Sequence, residues 1–488
     1  MIMLNSITTL LSLQSGRLLL ALLLLVMLSG CQSLPRTDRE FTRSSAALKN
    51  DPNHTARLSC FLVLKDEKGP AIRLDVSDIE VFADDVRLPL TSEPLQIDST
   101  AIGTDQLFLG GRAVPPGRYH RLLLTVTKGE VQQTDGKYAV ITPEPFPVEV
   151  NLTSDLNLEA GDSGTLLITW DVQNSLLTEN TLLPDLTAIS PLKQMLIDLL
   201  LVTCPDIDTV FVVRADKNWV VDSFGLKGGP TFLAIDPNAR NILYVLASRD
   251  RMIKVVELST YRVVNFFPVP LNDEPTFMTI SPDGKDAFLL DERNGYLSRI
   301  NLTTGRIIAR VLLGHRPKYA AYLEAEHLLA VSLSLSQKVL LLDPESLKVM
   351  RTISTGNSPQ GLAVSFNQLL IAEYGDNSVS VIDLASRNTL NRLTVGFGPR
   401  RLLEVRNQIY VSNYQDGSLS VLVPGQLGVN QEIYGLGRPL EMAFDRFYLR
   451  LYIADEEKGA LAVIDTTSNL LLGHIFLGAR PFDLDVIQ

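Results

Sequence analysis

The chain has 488 residues, 45% of them apolar and 20% charged, and a formal charge of −11. Its length predicts two folded units, and the apolar content is ample for their cores, which argues against a largely disordered chain. With Arg17, the one charged side chain among the first thirty residues, set aside, the remainder carries −12; an excess of that sign repels phosphate backbones and argues against nucleic acid as a partner.

Residues 18–28 are an almost pure Leu/Val/Met run behind Arg17, the pattern of a secretory signal. The run falls short of the roughly 20 apolar residues that span a bilayer. It ends in Leu28-Ser29-Gly30-Cys31, which resembles a bacterial lipobox. That resemblance implies a signal peptide over 1–30, cleaved before Cys31, whose sulfur and new amino group then carry acyl chains such as palmitate. The next residue is Gln32 rather than Asp, which resembles the sorting pattern of outer-membrane lipoproteins. The expected location is therefore the cell envelope, lipid-anchored at the outer membrane and facing periplasm or exterior. Residues 31–54 are polar and aperiodic and read as a tether.

From 55 to 175 short alternating runs at 56–64, 78–82, 118–126, 146–150 and 165–172 are separated by Pro/Gly turns, predicting a small β-sandwich. The order "VSDIEVF … VPPGRYHRLLLTV … LEAGDSGTLLITWDV" resembles a domain of unknown function from exported bacterial lipoproteins, which brings no catalytic residues with it. Residues 176–206 read as a helical linker, because Ser190-Pro191 offers a cap and first-turn proline ahead of an apolar stretch to Leu200. Cys60 lies on the first strand and Cys204 before the next domain; after export they either form a disulfide or stay as two buried thiols.

A proline recurs at 230, 275, 317, 359, 399, 439 and 481, at spacings of 40 to 45 residues, the length of one four-stranded propeller blade. In the clearest unit Pro359 precedes strands at 361–364, 369–372, 378–383 and 390–395. Seven prolines delimit six whole units. The tail at 482–487 supplies a lone first strand, while 209–213 and 219–224 supply later strands without a first. Joined, they make a seventh blade and remove the free edges of the array. The expected fold is thus all-β: a seven-bladed β-propeller over 207–488 preceded by a small β-sandwich. Tyr410-Val411-Ser412-Asn413 and the intact Ser281-Pro282-Asp283-Gly284 resemble the YVTN-type repeats of exported bacterial and archaeal propellers.

In that family ligands usually meet the face carrying the fourth-to-first and second-to-third strand loops. On this chain that rim gathers Arg316, Lys318, Arg400, Arg401, Arg438 and Arg480, with Asp291, Glu292, Glu373, Tyr374, Tyr414, Asp455 and Glu456 from the other loop set. Arg316, Tyr374, Arg400, Tyr414, Arg438 and Arg480 are the candidate ligand rim; the competing explanation for recurrent arginines is a structural contact repeated in every blade. The five histidines are scattered, and no zinc spacing, nucleophile elbow or phosphate loop is present, so no catalytic residue, metal or cofactor is expected. No Cys-x-x-Cys-His stands in the chain, which excludes covalent c-type haem. The resulting expectation is a non-enzymatic binding or scaffold module acting on another envelope protein or a surface polymer. The alternative is a small-molecule lactonase or lyase, since propeller enzymes with YVTN-like blades exist and use rim Glu, His and Asp; Glu373, Glu441 and His315 are the residues it would draw on.

Overall fold

The computed structural model describes residues 51–487 apart from 67–68, 84–85, 92, 143, 179–180, 190–197, 270–274 and 387. The segments expected to be a signal peptide and a tether, with Cys31, lie outside the described residues up to residue 50. Among the described residues no helix is long and apolar enough to cross a membrane.

The strands expected in the first domain are present, but they do not form two facing sheets. One continuous, nearly closed sheet runs in the order Val86–Pro89, Ile72–Ala83, Gly117–Gln132, Phe146–Leu158, Asp185–Ile189, Ser163–Asp171, Ala56–Leu64, Leu107–Val114. The predicted sandwich is therefore a barrel-like coil. Its cause lies in the length of Ile72–Ala83 and Gly117–Gln132 and the register shifts between them, since bulges bend a strand and increase its twist. The coil wraps one core that includes Leu58, Ile72, Tyr119 and Trp170. Asp185–Ile189 pairs with Ser163–Asp171, so part of the predicted linker belongs to this domain.

The predicted helical linker is corrected at its other end as well. Residues 190–197 lie outside the described residues, but Leu199–Cys204 is a strand buried along its whole length. It pairs with Thr209–Arg214 on one side and with the C-terminal Leu484–Ile487 on the other. The propeller thus starts at 199, not 207, and the seventh blade joins three N-terminal strands to one C-terminal strand. Six further four-stranded blades occupy residues 230–268, 277–312, 317–354, 359–394, 399–433 and 439–476, numbered here 1 to 6. In blades 1 and 3 to 6 the recurring proline is the first residue of the innermost strand and is followed by a register shift. A residue that cannot donate to the ladder is confined to such a position.

The closing strand is also stitched to blade 1. Asp483 accepts from the Leu233 amide at 2.9 Å and Asp485 from the Ile235 amide at 3.3 Å. Burial pushes the Asp485 carboxyl up to about 6 from an ordinary value of 3.8. Between pH 3.8 and about 6 the folded protein therefore holds a proton that the unfolded chain has already released. The stability linked to Asp485 is complete below pH 3.8 and is lost as the pH climbs through about 6. Thermal unfolding of Asp485→Asn from pH 4 to 7 should show a shallower fall in midpoint than the natural sequence; identical slopes would remove Asp485 from the seam's proton balance.

The first domain docks on blade 7. Alternation along Ala56–Leu64 sends Leu58, Cys60 and Leu62 into its own core, while Phe61 enters the propeller core beside Cys204 and Phe211. Thr165 and Ser223 hydroxyls meet at 2.9 Å, and the Gln106 side chain donates to and accepts from the Val220 backbone. At Gly225 a Cβ would lie 1.8 Å from the carbonyl oxygen of Gly161, so the two backbones touch only because residue 225 has no side chain. Cys60 and Cys204 are both free and buried. They sit in different cores, and burial pushes the Cys60 thiol up to about 12 and Cys204 higher still.

Candidate functional site: the mouth of the central channel

Because the recurring proline stands at or just before the start of each inner strand, the next two residues of each blade form two rings around the channel. The second ring comprises Phe232, Phe277, Tyr319, Gly361, Arg401, Glu441 and Asp483. Half of it is aromatic: Phe232–Phe277 and Phe277–Tyr319 centroids lie 4.7 and 4.5 Å apart, and Phe482 meets Phe232 edge-on at 5.2 Å. The other half is polar. Arg401 is buried, donates from Nε to Glu441 and lies 4.6 Å over the Tyr319 ring. Gly361 makes that crossing possible, since a Cβ there would come within 2.6 Å of the Arg400 carbonyl oxygen and 2.9 Å of the Arg401 Cα. Asp483 completes the ring with its carboxyl held well above the usual range by burial and by the neighbouring Glu441.

Above this floor the mouth opens as a cup of about 430 Å³. Its walls come from the first ring (Thr276, Lys318, Gln360, Arg400) and from the loops carrying Glu292, Arg316, Asn357, Ser358 and Tyr374. Lys318 donates to Glu292 at 2.8 Å, and Arg316 stands 3.6 Å from the same carboxylate. Arg400 is half-buried and lies 4.8 Å over the Tyr414 ring. Burial first and then the adjacent Arg401 hold its guanidinium below the ordinary value.

The six residues predicted as a ligand rim divide into two groups. Arg316, Tyr374 and Arg400 line the cup. Tyr414, Arg438 and Arg480 belong to a neighbouring cluster in which the acids answer the bases. Tyr414 donates to Glu456 at 2.7 Å, Arg438 lies 3.7 Å from Glu457, and Arg480 donates to Asp206 at 2.7 Å. Three predicted rim carboxylates are fully buried instead of facing the mouth. Asp291, Glu373 and Asp455 each end a second strand and hold the following turn; Glu373 accepts from the Gly356 amide and from Ser378 and Ser380, with Arg392 at 3.0 Å. His315 is not among the residues lining the cup; with Arg293 it borders an adjoining depression that shares Thr276, Glu292, Arg316 and Leu335 with it. Among the described residues no group of three or more His, Cys, Asp or Glu is placed to hold a metal ion. Sequence reasoning missed the floor aromatics and Ser358; aligning the blades on their prolines, column by column, was the signal that would have found them.

Blade count and closure define a seven-bladed β-propeller with a polar cup at a mouth of its channel. No protein-family model matches the chain, and no curated protein matches it. Among solved structures it is similar to the crystal structure of a functionally unknown protein from Desulfotomaculum acetoxidans DSM 771, at 15% identity and a TM-score of 0.53, over 59% of this chain and 98% of that one. It is also similar to dihydro-heme d1 dehydrogenase NirN in complex with DHE (15% identity, TM-score 0.47, 58% of this chain and 65% of that one). A third is the Kuenenia stuttgartiensis hydrazine synthase (16%, 0.42, 52% and 89%). At 15% identity the likeness to the first of these is one of fold.

Proposed function

We propose that this protein is a lipid-anchored envelope binding module, tethered through Cys31, that receives its partner on the propeller face bearing the cup. The anchor reading is supported by the apolar run at 18–28 and the Leu-Ser-Gly-Cys sequence behind it. The binding reading is carried by the cup: a closed-bottomed, polar, concave site at the channel mouth, lined by residues from several blades. The lactonase or lyase alternative loses support because Glu373 is committed to its own blade and Glu441 to Arg401. Affinity capture from detergent-solubilised envelope, comparing the natural sequence with Arg316, Arg400, Arg438 and Arg480 all changed to Ala, tests the binding face. A partner lost only with the substituted protein supports it, and an unchanged set of partners refutes it. Palmitate labelling that survives Cys31→Ala would refute the anchor.

A further inference from the structure

We propose that the cup is an anion site, built for a compact ligand carrying two or more carboxylate or phosphate groups. This rests on the reading above that the cup face binds. Four cations, Arg316, Lys318, Arg400 and Arg401, stand at the cup against three carboxyl groups, Glu292, Glu441 and the floor's Asp483, the last held well above its usual range by burial and by Glu441. The excess is local, since the mature chain as a whole is strongly acidic, and it marks a place where negative charge is wanted.

Arg400 carries the argument furthest. No carboxylate among the described residues comes within ion-pair distance of its guanidinium, which is half-buried beside Arg401, lies over the face of Tyr414 and feels Glu441 and Glu456 only from farther off. A like-charged pair withdrawn from water is costly unless an anion joins it, and a planar guanidinium fits carboxylate or phosphate oxygens two at a time. Gln360, Asn357 and Thr276 add neutral polar groups around it. The aromatic half of the floor closes the site below, and its volume of about 430 Å³ suits a small molecule better than a lone ion.

Backbone geometry agrees. The residue before the blade proline is left-handed at Gly229 and Gly398 (φ 67° and 65°), where glycine accepts it freely. In blades 3 and 4 the same conformation is held by Arg316 and Ser358 (φ 58° and 53°), and both line the cup. Side chains kept where glycine would relieve strain are consistent with a role for those side chains.

The test is calorimetric titration of the full chain in detergent at low ionic strength, with citrate as the carboxylate probe and pyrophosphate as the phosphate probe. One saturable, salt-sensitive site for either is expected, and the probe that binds tells the two chemistries apart. Arg400→Gln and Lys318→Met should each weaken binding about tenfold or more. Lys285→Gln, an exposed charge on the opposite face, should leave it unchanged. Arg316→Gly should raise the melting temperature while weakening binding, an outcome that a merely misfolded variant cannot give. Absence of saturable binding by both probes at millimolar concentration would overturn the proposal, as would an equal loss in Lys285→Gln. A rim-dependent partner captured from envelope without any anion binding would sink this inference alone; anion binding with an unchanged set of captured partners would sink the docking reading alone.

Discussion

A chain ending at Asp483 is expected to lose the cooperative unfolding of its propeller. The five residues removed include the innermost strand of blade 7, which pairs Leu484–Ile487 with Leu199, Leu200, Leu201 and Val202. Leu484, Val486 and Ile487 are buried, and at about 1.5–3 kcal/mol for each large apolar side chain their loss costs roughly 5–9 kcal/mol. That is comparable to the whole stability of an ordinary domain, about 5–15 kcal/mol. The removal also strips hydrogen-bond partners from a strand that is buried on both faces, and it unseats the carboxylate of Asp485 from blade 1. Urea unfolding followed by far-UV circular dichroism, with dye binding to exposed apolar surface, reads the result. A midpoint within error of the full chain would show that blade 7 holds without its C-terminal strand.

Arg401→Met is expected to cost about 3–5 kcal/mol, because it leaves Glu441 charged and without its counter-ion at the channel floor. The loss is greater than that of a surface ion pair, which is worth about 0–1 kcal/mol. Arg401 is 5% exposed, packs on Tyr319 and shares its surroundings with the carboxyl of Asp483. Changing both partners, Arg401→Met with Glu441→Leu, should recover most of the stability, since a matched apolar pair avoids the desolvation that the ion pair bears. Denaturant midpoints of the two single variants and the double variant form the cycle that checks this. A single-variant loss below about 1 kcal/mol would mean that the pair behaves as if solvated.

The propeller was legible because its prolines repeat, and each marks a backbone position where a missing N–H does no harm. Closure from both termini followed from counting strands. The strand at Leu199–Cys204 was not legible as one: a run such as Leu-Leu-Leu-Val buried on both faces shows no alternation, and the Ser190-Pro191 signal ahead of it reads as a helix start. In the first domain the strands at 56–64 and 165–172 were found nearly as observed, those at 78–82, 118–126 and 146–150 were read too short, and Val86–Pro89, Leu95–Asp98, Leu107–Val114 and Tyr138–Thr142 were not read. Whether they close into one sheet or face each other as two depends on pairings such as Asp185–Ile189 with Ser163–Asp171, which no local pattern specifies. Of the candidate site, the arginines were visible as a repeated position. What separates Arg400 from Arg438 and Arg480 was not, because it depends on which carboxylates from other blades come within reach.

The docking of the first domain on blade 7 has a mechanical consequence. Phe61, Phe108 and Leu167 share one apolar core with the propeller's Leu200, Val202 and Phe211, and the backbones touch at Gly225. A joint with one shared core and touching backbones resists the closing of one domain over the other. On the proposed reading, occupancy would be sensed as a change in the shape and charge that the mouth itself shows to its surroundings. The two domains turn together as a single lever, and whatever pulls on residue 56 moves the mouth rigidly with it.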